Sequence, residues 1–96
     1  MTLTQSLDRG TTEVPLIEQT LGAFFDTMAA RQPEREALVS VHQGQRLSYA
    51  RLRDQANQLA SALLDLGLQP GDRIGIWSHN NVEWVLMQLA TAKVGL

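Results

Sequence analysis

The sequence contains no cysteine, which excludes disulfide bridges, thiolate nucleophiles and zinc sites built on cysteine. It has no apolar run near the roughly 20 residues that cross a bilayer. Its first residues lack the basic stretch and apolar run of a signal peptide. We therefore predict a cytoplasmic chain without a transmembrane segment.

An excess of charge of one sign is also lacking, because 8 basic residues stand against 10 acidic ones and the net charge is −2. Both signs are scattered along the 96 residues, so no basic stripe predicts contact with nucleic acid. With 44% hydrophobic and 19% charged residues, the composition is typical of a globular protein. The length allows one small domain.

The first third of the chain predicts a tail and then a helix. Residues 1–19 are polar and rich in threonine, without periodicity, and predict a flexible leader with a short extended piece at residues 14–17. Thr20 is a good N-cap for a helix whose apolar residues recur at helical spacing. That helix is expected to end at Gln32, because the residue before Pro33 is steered away from helical geometry.

A hairpin and an amphipathic helix are expected next. Two short runs at residues 37–41 and 45–47, separated by the turn signal Gln43-Gly44, predict the hairpin. Ser48 is the N-cap of the helix, and Gly67 ends it. The predicted buried face of this helix contains five apolar residues: Leu52, Ala56, Leu59, Leu63 and Leu66.

The last part of the chain predicts a buried strand followed by a helix. Residues 73–77 predict a strand, and after Arg73 they are apolar in succession, which is typical of a strand covered on both faces. Asn80, with Glu83 three residues later, predicts the cap of a helix over residues 81–94 that ends at Gly95. This helix is apolar on nearly every side, as in the interior of a larger protein.

These elements predict an α/β fold of about three helices, a hairpin and one buried strand. Because a strand followed by a helix usually leads to a second parallel strand, which is missing here, we predict that the sequence was cut from a longer chain.

No arrangement of residues predicts an active site. His42 and His79 have no second histidine or carboxylate at metal-ligand spacing. Ser78 precedes His79, but the glycine-flanked elbow of a serine nucleophile is absent. The ten acidic residues are spread singly and form no evident catalytic pair.

The glycines and tryptophans have structural interpretations. No phosphate-binding fingerprint includes Gly67, Gly71 or Gly75. The first two predict a helix end and a turn, and Gly75 predicts close packing of a strand. Trp77 and Trp84 are expected in a core. We therefore assign no catalytic, cofactor-binding or metal-binding residue.

Several segments together resemble a known family. They comprise Leu-Ser-Tyr-Ala-Arg-Leu at residues 47–52, Leu-Gly-Leu-Gln-Pro-Gly-Asp-Arg-Ile-Gly-Ile at 66–76, Asn-Asn-Val-Glu-Trp at 80–84 and Leu-Ala-Thr-Ala-Lys-Val-Gly at 89–95. In this order they are similar to the N-terminal region of adenylate-forming (AMP-binding) enzymes, which include acyl-CoA synthetases, luciferases and peptide-synthetase adenylation domains. Residues 75–84 resemble the fatty-acid and medium-chain acyl-CoA synthetases in particular.

The resemblance implies that residues 20–96 are the N-terminal part of an AMP-binding domain. The parent enzyme is then expected to join a fatty acid to AMP from ATP and to pass the acyl group to coenzyme A, with Mg²⁺ offsetting phosphate charge. The family's phosphate loop, ribose-binding acid, arginine and late lysine match no position here. The 96-residue piece is therefore expected to be an inactive scaffold whose partner is the remainder of its own domain.

Two other functions remain open from the sequence. The chain is either a free-standing α/β module that binds a protein through its last helix, or the start of a peptide-synthetase adenylation domain. The apolar last helix further predicts that the isolated piece self-associates.

Overall fold

The computed structural model describes residues 4–96 and contains five regular elements. The helices are α1 (Leu21–Arg31), α2 (Tyr49–Asp65) and α3 (Val82–Val94), and the strands are β1 (Glu36–Ser40) and β2 (Gln45–Ser48). The three predicted helices and the hairpin are thus confirmed.

The predicted leader contributes no regular element among residues 4–19, and every one of these residues is exposed. The extended piece expected at residues 14–17 forms no strand. The first three residues of the predicted leader lie outside the described part of the chain, and the flexibility of the leader stays a prediction.

Helix α1 begins and ends where local chemistry predicts. The Thr20 hydroxyl accepts a hydrogen bond from the Ala23 amide at 3.2 Å, which satisfies one of the free donors of the first turn. Gln32 has left helical geometry just before Pro33, although its amide still donates to the Met28 carbonyl at 3.1 Å.

Strands β1 and β2 pair antiparallel in a two-stranded sheet. Gly44 lies in the turn between them at φ +63°, a conformation that favours glycine. The ladder shifts register between Glu36 and Leu38, and Leu47 on β2 points into the core.

Helix α2 is capped by Ser48, whose hydroxyl accepts from the Arg51 amide at 3.2 Å. Four of its residues are buried: Leu52, Ala56, Ala60 and Leu63. The prediction for Leu66 was wrong, since this residue is 77% exposed. The buried stripe is rotated towards Ala60, which turns Leu66 out to solvent and leaves Leu59 half-buried.

The start of α3 differs from the expectation by one residue. Asn81 is the N-cap, with its side-chain oxygen accepting from the Trp84 amide at 2.9 Å. Asn80 was predicted for this role because either of two adjacent asparagines has the right chemistry. At the other end, Gly95 at φ +76° closes the helix as expected.

The strand predicted at residues 73–77 is not formed, because these residues pair with no other strand in the described part of the chain. Within residues 4–96 the only sheet is the pair β1–β2, so this segment has no neighbouring strand to receive its backbone hydrogen bonds. The preceding turn is as predicted: the Asp72 carboxylate accepts from the Gln69 amide at 2.7 Å. The Gly71 amide then donates to the Gly95 carbonyl at 2.8 Å and ties this turn to the end of α3.

The core consists of two clusters that share α2 and α3. The first joins Leu47, Leu52 and Val82 below the hairpin. The second joins Ala60, Leu63 and Ala90 at the other end of the two helices, with Ile74 at its edge. The chain therefore folds around the α2–α3 pair, and α1 and the hairpin lie against it.

Helix α1 meets α3 where Gly22 lies beside Lys93. A β-carbon at Gly22 would lie 3.1 Å from the Lys93 Cα, so glycine allows the two backbones to approach closely. The Lys93 ammonium pairs with the Asp26 carboxylate, and it lies 5.8 Å from the centre of the Phe25 ring.

Candidate functional site

The two histidines are exposed and lie apart from any cluster of metal ligands. His42 is in the hairpin turn, with Nδ1 3.5 Å from the Ser40 hydroxyl. Residues 4–96 bring together no three His, Asp or Glu side chains, so they do not fit the Mg²⁺ implied for the parent, and we derive no step through that ion. The absence of site residues from this chain stays a prediction.

Ser78 has structural partners rather than a catalytic one. Its hydroxyl donates to the backbone carbonyl of His79 at 3.0 Å and accepts from the Asn81 side-chain amide at 2.9 Å. Because Asn81 also caps α3, these bonds shape the loop that leads into the helix.

The glycines at residues 67 and 71 form turns, as predicted. Both have positive φ, and their amides donate to backbone carbonyls, Gly67 to that of Leu64 and Gly71 to that of Gly95. Backbone donors already engaged in this way are not free to bind a phosphate. The interpretation of Gly75 was wrong, because a β-carbon there would meet no atom within 4 Å.

The expectation of a core position for both tryptophans was wrong in this chain. Trp77 is 104% exposed, because the strand that would have carried it into a sheet is absent. Trp84 is 37% exposed on α3. Burying one aromatic side chain of this size removes about 150–250 Å² of surface from water. The exposed Trp77 therefore indicates a contact surface.

Helix α3 borders an open groove on each side, one lined mostly by apolar residues and the other by apolar and polar residues in equal number. The α1–α3 groove, of about 360 Å³, is lined chiefly by Leu21, Phe24, Met28, Val85 and Leu89. The α2–α3 groove, of about 630 Å³, is lined by Leu59, Leu86 and Met87 together with Gln55, Gln58 and Glu83. The arrangement is suited to contact with further protein rather than to bond chemistry, and these grooves with Trp77 are the candidate functional surface.

A comparison with family models identifies the family of this chain. The model described as "AMP-binding enzyme" matches residues 25–96, which include all of α2, α3 and the hairpin. The chain belongs to the AMP-binding enzyme family. No helix among the described residues of this AMP-binding chain has the length and apolar character to cross a membrane.

Its relatives in sequence are acyl-CoA ligases by name. The chain is 48% identical over 88 residues to the mitochondrial medium-chain acyl-CoA ligase ACSF2 of Homo sapiens and 46% identical over 88 residues to that of Rattus norvegicus. It is 36% identical over 80 residues to the putative acyl-CoA synthetase YngI of Bacillus subtilis. The matches cover 83–92% of this chain but only 14–15% of those proteins.

Solved structures share the fold of this unit. A Mycobacterium tuberculosis fatty acyl CoA synthetase matches with a TM-score of 0.76 and 30% identity, over 79% of this chain and 15% of that one. The N-terminal domain of FACL13 from the same organism matches with a TM-score of 0.77 and 30% identity, over 80% of this chain and 20% of that domain. The predicted resemblance to the start of an acyl-CoA synthetase is confirmed.

Sequence reasoning missed two arrangements that organise this unit. One is the contact of Gly22 with Lys93, and the other is the Gln43 side chain, which bonds to Ser40 at the end of β1 and to two residues at the start of α3. A glycine in an apolar helix hints at close packing. A glutamine in a turn gives no signal for partners about 40 residues away, since they depend on the tertiary fold.

Proposed function

We propose that this chain is the N-terminal scaffold of an acyl-CoA ligase whose complete form activates a fatty acid with ATP and transfers it to coenzyme A. The observation that carries the proposal is the 46–48% identity over 88 residues to ligases of that name. Peptide-synthetase adenylation domains use the same first half-reaction. The relatives named here, however, are ligases and synthetases of acyl-CoA, which favours the ligase over that alternative.

The proposed reaction has two steps. A carboxylate oxygen attacks the α-phosphorus of ATP, which forms an acyl adenylate and releases pyrophosphate. The thiol of coenzyme A then attacks the acyl carbon, which forms the thioester and releases AMP. No residue of this chain is assigned to either step, so the proposal places ATP, Mg²⁺ and coenzyme A on the remainder of the parent protein.

The proposed contribution of residues 20–96 is to complete the packing of the large domain. The two grooves beside α3 and the exposed Trp77 are the surfaces that the remainder of the domain would cover. Their size supports this role, because covering apolar surface stabilises by roughly 25 cal/mol per Å². In the free chain the same surfaces support the proposal that copies self-associate.

The test begins with the reading frame beyond the codon for Leu96. The complete product, purified and supplied with ATP, Mg²⁺ and coenzyme A, is expected to release AMP and form a thioester with one or more members of a series of fatty acids. The 96-residue chain is the control and is expected to release none. A complete product that forms no thioester with any chain length would contradict the proposal, as would activity in the 96-residue chain.

A binding module that acts alone is the alternative from a different class. It would require the reading frame to stop after Leu96 and the α1–α3 groove to bind a separate protein. Light scattering on the isolated chain bears on the surface itself: self-association is expected to rise with concentration, whereas a monomer at every concentration would argue against an uncovered apolar surface.

Localisation remains a proposal. The sequence predicts the cytoplasm, whereas the mammalian relatives are mitochondrial ligases by name. A fluorescent fusion at the C-terminus of the complete protein, expressed in its native host, would separate the two compartments.

A further inference from the structure

The side chain of Gln43 lies where the hairpin turn meets the start of α3. Its Oε1 accepts from the Ser40 hydroxyl at 2.8 Å and from the Val82 amide at 2.9 Å. Its Nε2 donates to the Glu83 carboxylate at 2.9 Å. One amide group therefore connects three residues, two of which lie 39 and 40 positions further along the chain.

The first turn of α3 needs a partner from outside the helix. The first N–H groups of an α-helix have no acceptor within it. The Asn81 side chain satisfies the Trp84 amide, which leaves the amide of Val82 to find another acceptor. Val82 is 2% exposed and belongs to the core cluster with Leu47 and Leu52, so water has poor access to this amide.

The chemistry of glutamine matches the three partners. Val82 N–H is an obligatory donor and the ionised Glu83 carboxylate accepts only, so the amide must present its oxygen to the first and its nitrogen to the second. A carboxylate at position 43 would have no donor for Glu83, and an ammonium would have no acceptor for the Val82 amide. Ser40, which is buried, is satisfied by the same Oε1.

We propose that Gln43 is a remote cap of α3 that makes the hairpin turn and the first turn of the helix open and close as one unit. The bonds of Gln43 join the hairpin turn directly to α3, whereas the connection from α2 to α3 at residues 66–81 contains no regular element. This inference concerns the folded unit alone and does not depend on the proposed ligase activity.

Amide hydrogen exchange in the full chain tests the cap. Gln43→Ala is expected to accelerate exchange at the Val82 amide by about 2- to 30-fold relative to the amides in the middle of α2, as loss of a helix cap does elsewhere. Gln45→Ala is the matched control, since within residues 4–96 this hairpin glutamine makes no side-chain hydrogen bond. Equal exchange at Val82 in the two variants would overturn the cap.

Exchange at the hairpin turn tests the coupling. The Gly44 amide donates to the Val41 carbonyl at 3.1 Å and reports on closure of the turn. Asn81→Ala, which removes the other cap of α3, is expected to accelerate exchange at Gly44 several-fold in the natural background and to have no effect there when Gln43 is already alanine. An unchanged Gly44 amide in the natural background would overturn the coupling.

The unmutated chain provides a test that does not require a variant to fold. Nuclear Overhauser effects are expected between the side-chain amide protons of Gln43 and the protons of Val82 and Glu83. Their absence from a folded sample would contradict the proposal regardless of the exchange results.

Discussion

Helices α2 and α3 lie side by side, yet they differ in how much of their apolar surface is buried. In α2 four residues are buried, and the remainder of its surface is mostly polar, with Leu64 as an exposed exception. In α3, which is far more apolar along its length, only Val82 and Ala90 are buried. Its other large side chains are half-buried or exposed beside the two grooves.

The contrast separates apolar surface that this chain covers with its own residues from apolar surface that it leaves uncovered. One face of α2 needs covering, and the described residues cover it. Helix α3 has apolar residues on several faces, and a unit of this size covers only some of them. Its uncovered surface is therefore the feature that favours a larger protein around it.

The largest expected effect on stability concerns the buried face of α2. Leu63→Ala is expected to destabilise the chain by about 2–5 kcal/mol, because it leaves a cavity beside Ala60 and Ala90. Leu64→Ala is the matched control. The Leu64 side chain is next to Leu63 in the sequence but is 48% exposed, so its loss is expected to cost less than about 1 kcal/mol. Leu59→Ala, at a half-buried position, is expected to lie between them.

Denaturant unfolding of the three variants measures these differences. Similar losses for Leu63→Ala and Leu64→Ala would show that the buried face of α2 is not the one described.

The close approach of α1 to α3 is expected to give the next largest effect. Gly22→Leu would push a side chain against the Lys93 backbone, and overpacking of this kind costs about 1–3 kcal/mol. The gain in helix propensity over glycine, about 0.8–1 kcal/mol, opposes this cost and leaves a net loss of up to about 2 kcal/mol. Ala30→Leu, at an exposed position of the same helix, is the control for added bulk. A Gly22→Leu variant as stable as that control, measured by thermal unfolding, would contradict the close approach.

The smallest effect is electrostatic and concerns the first turn of α3. The hydrogen bond from the Gln43 amide, and after it the one from its own backbone, hold the pKa of Glu83 below its ordinary value of 4.5. Burial opposes this lowering, and the interaction with His42 contributes least to it. A carboxyl with a lowered folded pKa contributes stability that is present above its unfolded pKa and is lost as the pH falls through the folded one.

The stabilities of the natural chain and Glu83→Gln are therefore expected to differ most near about pH 7. They converge as the pH falls from the ordinary pKa of 4.5 through the lower pKa of the folded state. Unfolding measured across that range checks the convergence. In the Gln43→Ala background the pH dependence of this difference is expected to shrink, and an undiminished dependence would assign the effect to another partner.

Local chemistry explains most of what the sequence predicted correctly. Thr20 and Ser48 cap helices through bonds to amides three residues away, and Gly95 ends a helix through its own backbone geometry. These interactions are complete within a few residues. Even the error of one position at Asn80 reflects equivalent chemistry in its neighbour.

Long-range structure explains what was missed. A strand at residues 73–77 requires a partner strand, and the described residues offer none. The exact orientation of the α2 stripe depends on where α3 lies against it, so Leu66 was assigned to the wrong side. The bonds of Gln43 join segments about 40 residues apart and have no local signature. For the site itself, the resemblance predicted the family correctly, whereas the exposed apolar surface became visible only in the fold.

The exposure of Trp77 in the complete protein tests the central claim most directly. The measurement is acrylamide quenching of Trp77 fluorescence, compared between the 96-residue chain and the complete product of the reading frame. Both carry Trp84→Phe, so that Trp77 is the one tryptophan of this segment. The tryptophans outside this segment are replaced in the complete product. We expect free quenching in the chain at concentrations where it is monomeric, since the ring is then fully exposed, and strong protection in the complete protein. Equal quenching in both would contradict the claim that the remainder of an acyl-CoA ligase covers this surface.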